Sequence, residues 1–198
     1  LDLMRHYLST LQEIRLLGLK DLPFCWGEIE ECGKDPLENA RQKALAYYRI
    51  CGQPVFSQDS GLYIEGLPKE RQPGVHVRRV NGVNLTDEQM RKYYKKIAAE
   101  FGGRCVAQYQ NAICLVFSEN EIYEARGGAL NWKKFWLMTE ERPQRMEGFP
   151  LDAICADYRT GRHFYDGEAT MPEEEGDGVR DFFRNALKQH EMRNKIEK

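Results

Sequence analysis

The sequence contains no run of 18 apolar residues and no charged-then-apolar leader pattern. No membrane partner is expected, and because a domain of this size does not need disulfides, a reducing cytoplasm is the simpler reading. An excess of positive charge is missing too: 29 Lys and Arg face 31 Asp and Glu, for a net charge of -2. Polymeric nucleic acid is therefore not an expected partner, although a small anion needs only a local cationic pocket. The six cysteines form no C-x-x-C pair and fit no zinc spacing. Cys105, Cys114 and Cys155 lie in apolar or alternating runs and read as small buried hydrophobes. Internal repeats and low-complexity tracts are lacking as well.

What is present suffices for a core. Hydrophobic residues make up 41% and aromatics 11% of the 198 residues, so disulfide staples are not needed. The whole chain, residues 1–198, is read as one domain. An amphipathic start, LDLMRHYLSTLQ, predicts a helix over residues 1–17, and LPFCWGEIEE predicts a short loop and strand. Asp35-Pro36-Leu37-Glu38 opens a helix, with Asp35 as N-cap, Pro36 in the first helical position and Glu38 in a capping-box position. Gly52 closes that helix. Strand-like pieces PVFSQ and GLYIEGL flank Asp59, which reads as a break between them. Thr86 and Gln89 predict a capping box for a helix running to Glu100, ended by Gly102-Gly103. RCVAQYQNAICLVF and NEIYEARG form a hairpin across Ser118-Glu119-Asn120, DAICADY and RHFYD a last one, and a helix from about Gly178 ends the chain. The order implies an α/β or α+β fold with a mixed sheet.

Two carboxylates carry possible chemistry. Glu38 sits in the first turn of a helix and Asp59 at the strand-to-turn break. Mg²⁺ is commonly held by one or two carboxylates together with substrate phosphates. Lys43 lies on the same helix as Glu38, about 140° further round its axis. Each residue also has an ordinary reading: Glu38 as a cap, Asp59-Ser60-Gly61 as a turn, Lys43 as a solvated lysine. His76 and His163 read as surface or hydrogen-bonding residues. Trp132, Phe135 and Trp136 read as packing or interface residues.

The combination is more specific than its parts. LENARQKA, SQDSGL and QPGVHVRRVNG resemble E-N-A-x-x-K-A, A-D-D-S-G-L and P-G-V-x-S-A-R of the inosine/xanthosine triphosphate pyrophosphatase family, in the same order and at similar distances. QYQNAICLV, YEARGGAL and GFPLDAI extend the resemblance to about residue 165. It implies an α/β fold, with an elongated mixed β-sheet, flanking helices and two lobes around a central cleft, usually in a homodimer. The reaction it implies is Mg²⁺-dependent hydrolysis of deaminated purine nucleoside triphosphates to monophosphate and pyrophosphate, which cleanses the nucleotide pool. By the same resemblance, Glu38 and Asp59 hold Mg²⁺, and Asp59 also positions or activates the attacking water. Lys43, Ser60 and Gly61 meet the phosphates. Arg79, Phe149 and Asp152 fall near the base.

This chain departs from the family pattern in several places. Gln58 replaces the first aspartate of D-D-S-G-L, which should weaken metal binding and disfavour a second ion. Val77-Arg78-Arg79 stands for S-A-R, and Gly148-Phe149-Pro150-Leu151-Asp152 lacks the tyrosine of G-F-G-Y-D. No S-H-R matches near the C-terminus, where Arg180 and Arg184 are the candidate substitutes. The T-x-N-x-x-K phosphate grip would precede Leu1. A nucleotide-binding or regulatory module with weakened catalysis is the alternative these changes raise.

Overall fold

The computed structural model describes residues 2–11, 14–23, 27, 29–167 and 176–196. Its helices are α1 (Asp2–Tyr7), α2 (Pro36–Cys51), α3 (Asp87–Glu100) and α4 (Asp177–Ile196). Its strands are β1 (Val55–Ile64), β2 (Arg79–Val80), β3 (Val83–Asn84), β4 (Arg104–Ser118), β5 (Glu121–Arg126), β6 (Phe135–Met138) and β7 (Cys155–Asp157). The α/β expectation holds, as a sheet flanked by helices. The hydrogen-bonded strand order is β1-β4-β6-β7, with β5 also on β4, and the described registers of β4–β5, β4–β6 and β6–β7 are antiparallel.

Local chemistry sets α2 and α3. The Asp35 carboxylate accepts from the backbone N–H groups of Leu37 and Glu38, and Gly52 closes α2 at φ 62°, the left-handed conformation that glycine adopts without strain. At α3, Gln89 N–H donates to Thr86 Oγ1 at 3.3 Å, and Gln89 Oε1 accepts from Thr86 N–H at 2.8 Å. This is the reciprocal capping box that the sequence predicts. Thr86→Ala should cost about 1 kcal/mol, read as a lowered urea midpoint at unchanged slope.

The chain divides into two compact units. The first comprises residues 1–59, 111–130 and 172–198. Here β4 alternates faces with the strand period of two. Ile113 and Leu115 pack with Tyr7, Leu8, Val179 and Phe183, while Cys114 and Val116 pack with Ala40 and Ala44 of α2. Both faces are covered, which explains the uninterrupted apolar run. The second unit comprises residues 60–110 and 131–171. Its core joins Leu62 and Ile64 of β1, Met90, Tyr94 and Ile97 of α3, and Phe135 and Leu137 of β6. Met90, Tyr94, Ile97 and Ala98 form one helical stripe.

Several expectations change. The first helix is short, Asp2–Tyr7, and Leu8 and Leu11 pack in the core beyond it. Among the described residues of 18–31 there is no strand, only a 3-10 turn at Leu19–Asp21. β1 passes through Asp59 without a break. Of the stretch PEEEGDG at 172–178, whose acidic, Gly- and Pro-bearing sequence reads as exposed or mobile, residues 172–175 lie outside the described residues. The last hairpin reduces to β7 and one bridge, Ala156 to His163. β6 carries no local turn signal and was not expected. The hairpin β2–β3 turns at Asn81 and Gly82, both at positive φ, the two-residue Asn-Gly turn that favours such hairpins. The three cysteines read as buried are buried, and burial pushes the Cys105 thiol to about 11 and the Cys114 thiol to about 12.

Candidate functional site

In the first unit, Asn39 and Lys43 converge on Asp59. α2 presents Asn39 and Lys43 four residues apart, a spacing that places two side chains on one helix face. Lys43 Nζ donates to Asp59 Oδ1 at 2.8 Å, and Asn39 Nδ2 donates to Asp59 Oδ2 at 3.2 Å. Lys43 also pairs with Glu31 at 3.0 Å. The Lys43 and Asp59 side chains are only 19% and 14% exposed, so water screens this pair far less than a surface one. Burial alone would lower the Lys43 pKa. Hydrogen bonds and charge from Asp59 and Glu31 outweigh it and hold the ammonium above its ordinary value. These contacts also explain an aspartate inside a strand: its carboxylate is satisfied by α2, so β1 need not break.

Glu38 is exposed and next to Asn39 in sequence. Its Oε2 accepts from Lys34 N–H at 2.7 Å, one residue before the N-cap, so the reciprocal contact of a capping box is not what it makes. Carboxylate oxygens such as those of Glu38 and Asp59 are of the type that hard cations take. Among the described residues no group of three or more His, Cys, Asp or Glu could enclose a metal.

A cavity of about 350 Å³ lies in the second unit. Tyr109, Trp132, Phe135, Phe149 and Phe164 give it aromatic walls, and Ser60, Arg78 and Asp152 bring polar groups. Tyr109 stacks on Phe135 with centroids 5.7 Å apart and meets Trp132 edge-on at 6.1 Å. Burial raises the Tyr109 hydroxyl, with Cys155 and Asp152 adding to it, and burial raises the Asp152 carboxyl. Flat apolar walls with a few polar groups suit a planar heteroaromatic ligand.

The sequence-derived candidates thus fall into two sets. Asp59 and Lys43 touch. Ser60, Phe149 and Asp152 line the cavity. Gly61 is buried, and a Cβ there would lie 3.1 Å from the Gly74 carbonyl carbon. Arg79 is exposed on β2, whereas its neighbour Arg78 lines the cavity. The Arg78 guanidinium is held by Leu85 O at 3.0 Å and Asp87 Oδ1 at 2.7 Å. Arg180 pairs with Asp177, and Arg184 pairs with Asp181 at 2.5 Å, both along α4. His76 is exposed, as expected. His163 is not a surface residue: it is 5% exposed, and among the described residues both ring nitrogens lack a hydrogen-bond partner.

Sequence reading missed Glu31 and Asn39. Asn39 carried a signal, because it shares the buried face of α2 with Pro36, Ala40 and Ala44, and a polar residue there needs a partner. Glu31 carried none, as it lies in irregular chain.

Residues 2–131 match the Ham1 family model. The dITP/XTP pyrophosphatase of Geobacter sulfurreducens is 42% identical over 73 residues, which are 37% of this chain and 35% of that protein. That of Coxiella burnetii is 34% identical over 119 residues, 58% of each. The chain thus spans about a third to three-fifths of the length of these relatives. A nucleoside triphosphatase / dITP/XTP pyrophosphatase structure from Mycobacterium abscessus superposes with a TM-score of 0.62 at 24% identity, covering 85% of both chains, which shows the fold.

Proposed function

The chain belongs to the Ham1 family, and on that premise we propose that it hydrolyses nucleoside triphosphates of the dITP/XTP class to monophosphate and pyrophosphate. The observation that carries this reading is the half-buried Asp59 carboxylate, held at one oxygen by Lys43 and at the other by Asn39. Glu38 and Asp59 would hold Mg²⁺, which when bound neutralises phosphate charge and lowers the pKa of a coordinated water. Asp59 orients the attacking water. Lys43 supplies a fixed positive charge for the phosphates, with its ammonium held in place by Asp59 and Glu31. Ser60 and Gly61 border the phosphates. The aromatic walls of the cavity, Phe149 among them, take the base. Asp152 offers a carboxylate to its polar edge, and Arg78 and Arg79 lend positive charge nearby. Action as a homodimer in the cytoplasm belongs to the same proposal.

The test is pyrophosphate release from dITP, XTP, ITP and the ordinary nucleotides, with Mg²⁺ or with EDTA. Release is expected from the deaminated purine nucleotides, with activity at background in EDTA. The alternative, binding without hydrolysis, draws on Gln58, which removes a carboxylate beside Asp59. It predicts a nucleotide-induced rise in melting temperature with no pyrophosphate from any nucleotide, and that result would replace the hydrolytic reading.

A further inference from the structure

We propose that Asn39 is a positioning residue for the Asp59 carboxylate, and that residue 33 is glycine so that Asn39 can reach its place. The inference rests on the reading of Asp59 given above. Asn39 is 2% exposed. Its Oδ1 accepts from Gly33 N–H at 2.9 Å, and its Nδ2 donates to Asp59 Oδ2 at 3.2 Å. The two neighbours dictate this orientation of the amide, because a backbone N–H only donates and an ionised carboxylate only accepts. A flipped amide would set donor against donor at one end and acceptor against acceptor at the other.

The loop contact also explains the glycine. A Cβ on residue 33 would lie 2.5 Å from Asn39 Oδ1 and 2.8 Å from Asn39 N. Any side chain there pushes Asn39 off its anchor. A residue serving only to tie the loop to α2 would need the acceptor half of the amide alone. The donor half is aimed at the carboxylate. Together with Lys43 on Oδ1, it restrains the rotation of the Asp59 side chain from both oxygens. Hydrogen-bonded supports of this kind, next to a group that binds metal or orients water, typically matter by roughly 10–100-fold.

Asn39→Asp keeps the shape and the acceptor for Gly33, and turns the donor facing Asp59 into a second carboxylate oxygen. Well below the melting temperature and at saturating Mg²⁺, kcat is expected to fall roughly 10–100-fold, with KM for the nucleotide changing much less, since positioning of the water acts in the transition state. Gly33→Ala should reproduce that pattern. The swap Asn39→Asp with Asp59→Asn rebuilds the contact with its polarity reversed. Its melting temperature should return close to that of the unchanged protein, while turnover stays at the level of Asp59→Asn alone. An Asn39→Asp variant with unchanged kcat, beside an inactive Asp59→Asn, overturns the proposal and leaves the role of Asp59 standing. Full activity in Asp59→Asn removes the underlying functional reading instead. Should Asn39→Asp not fold, the swap decides: failure to recover its folding overturns the proposal.

Discussion

Asp59→Asn is expected to cut pyrophosphate release on the order of 10²- to 10⁴-fold, the range for losing a side chain that handles the proton of a reacting group. The substitution conserves shape and removes a charge. An amide is a weak ligand for a hard cation and a poor proton acceptor, so both proposed roles fail at once. Stability should change much less. One amide oxygen remains for Lys43, and Lys43 keeps Glu31 at 3.0 Å. The new NH₂ group must face either Asn39 Nδ2 or the Lys43 ammonium, both donors, at a cost of about 1–3 kcal/mol. A pyrophosphate-coupled assay on the variant, alongside its thermal melt, separates the two effects. Turnover equal to that of the unchanged chain would show that the carboxylate takes no part.

The largest effect on stability should come from Leu137→Ala. Leu137 is fully buried in β6, paired with Cys105 of β4 on one side and Cys155 of β7 on the other. It belongs to the core with Tyr94, Ile97 and Ile154. Removing its isobutyl group forfeits burial and leaves a void that neighbours anchored in three strands cannot close. The expected cost is about 2–5 kcal/mol, a large part of the roughly 5–15 kcal/mol that holds an ordinary domain folded. A lowered denaturant midpoint measures it. Val83, 61% exposed at the β2–β3 turn, provides the contrast: Val83→Ala should move stability by no more than about 0.5 kcal/mol. Equal midpoints for the two variants would contradict the placement of β6 in the core.

Features whose cause lies within a few residues were legible in advance. The caps of α2 and α3 form from side chains two or three positions from the backbone groups they satisfy, so Asp35, Thr86, Gln89 and Gly52 announce themselves. The β4–β5 hairpin follows from two β-rich runs and a short turn. The order of Glu38, Lys43 and Asp59 was readable as a motif. Features whose cause lies across the fold were not readable. β6 is four residues with no turn signal, and it is a strand because β4 and β7 flank it. The last hairpin looked longer than it is for a related reason: its sequence suits a strand, but only β7 finds a neighbour in the sheet.

Asp59 shows the division most clearly. Taken alone, an aspartate followed by serine and glycine favours a turn, because its carboxylate seeks local donors. In the folded chain, Asn39 and Lys43 supply those donors from α2, and the strand continues. The sequence by itself determined the two capped helices, the β4–β5 hairpin and the identity of the acidic and basic groups. Tertiary structure alone decided that Glu31 and Asn39 join them, and that Arg78 rather than Arg79 lines the cavity. Hydrogen bonds between residues 16 or 20 positions apart depend on where helix and strand are packed, and no local propensity encodes that placement.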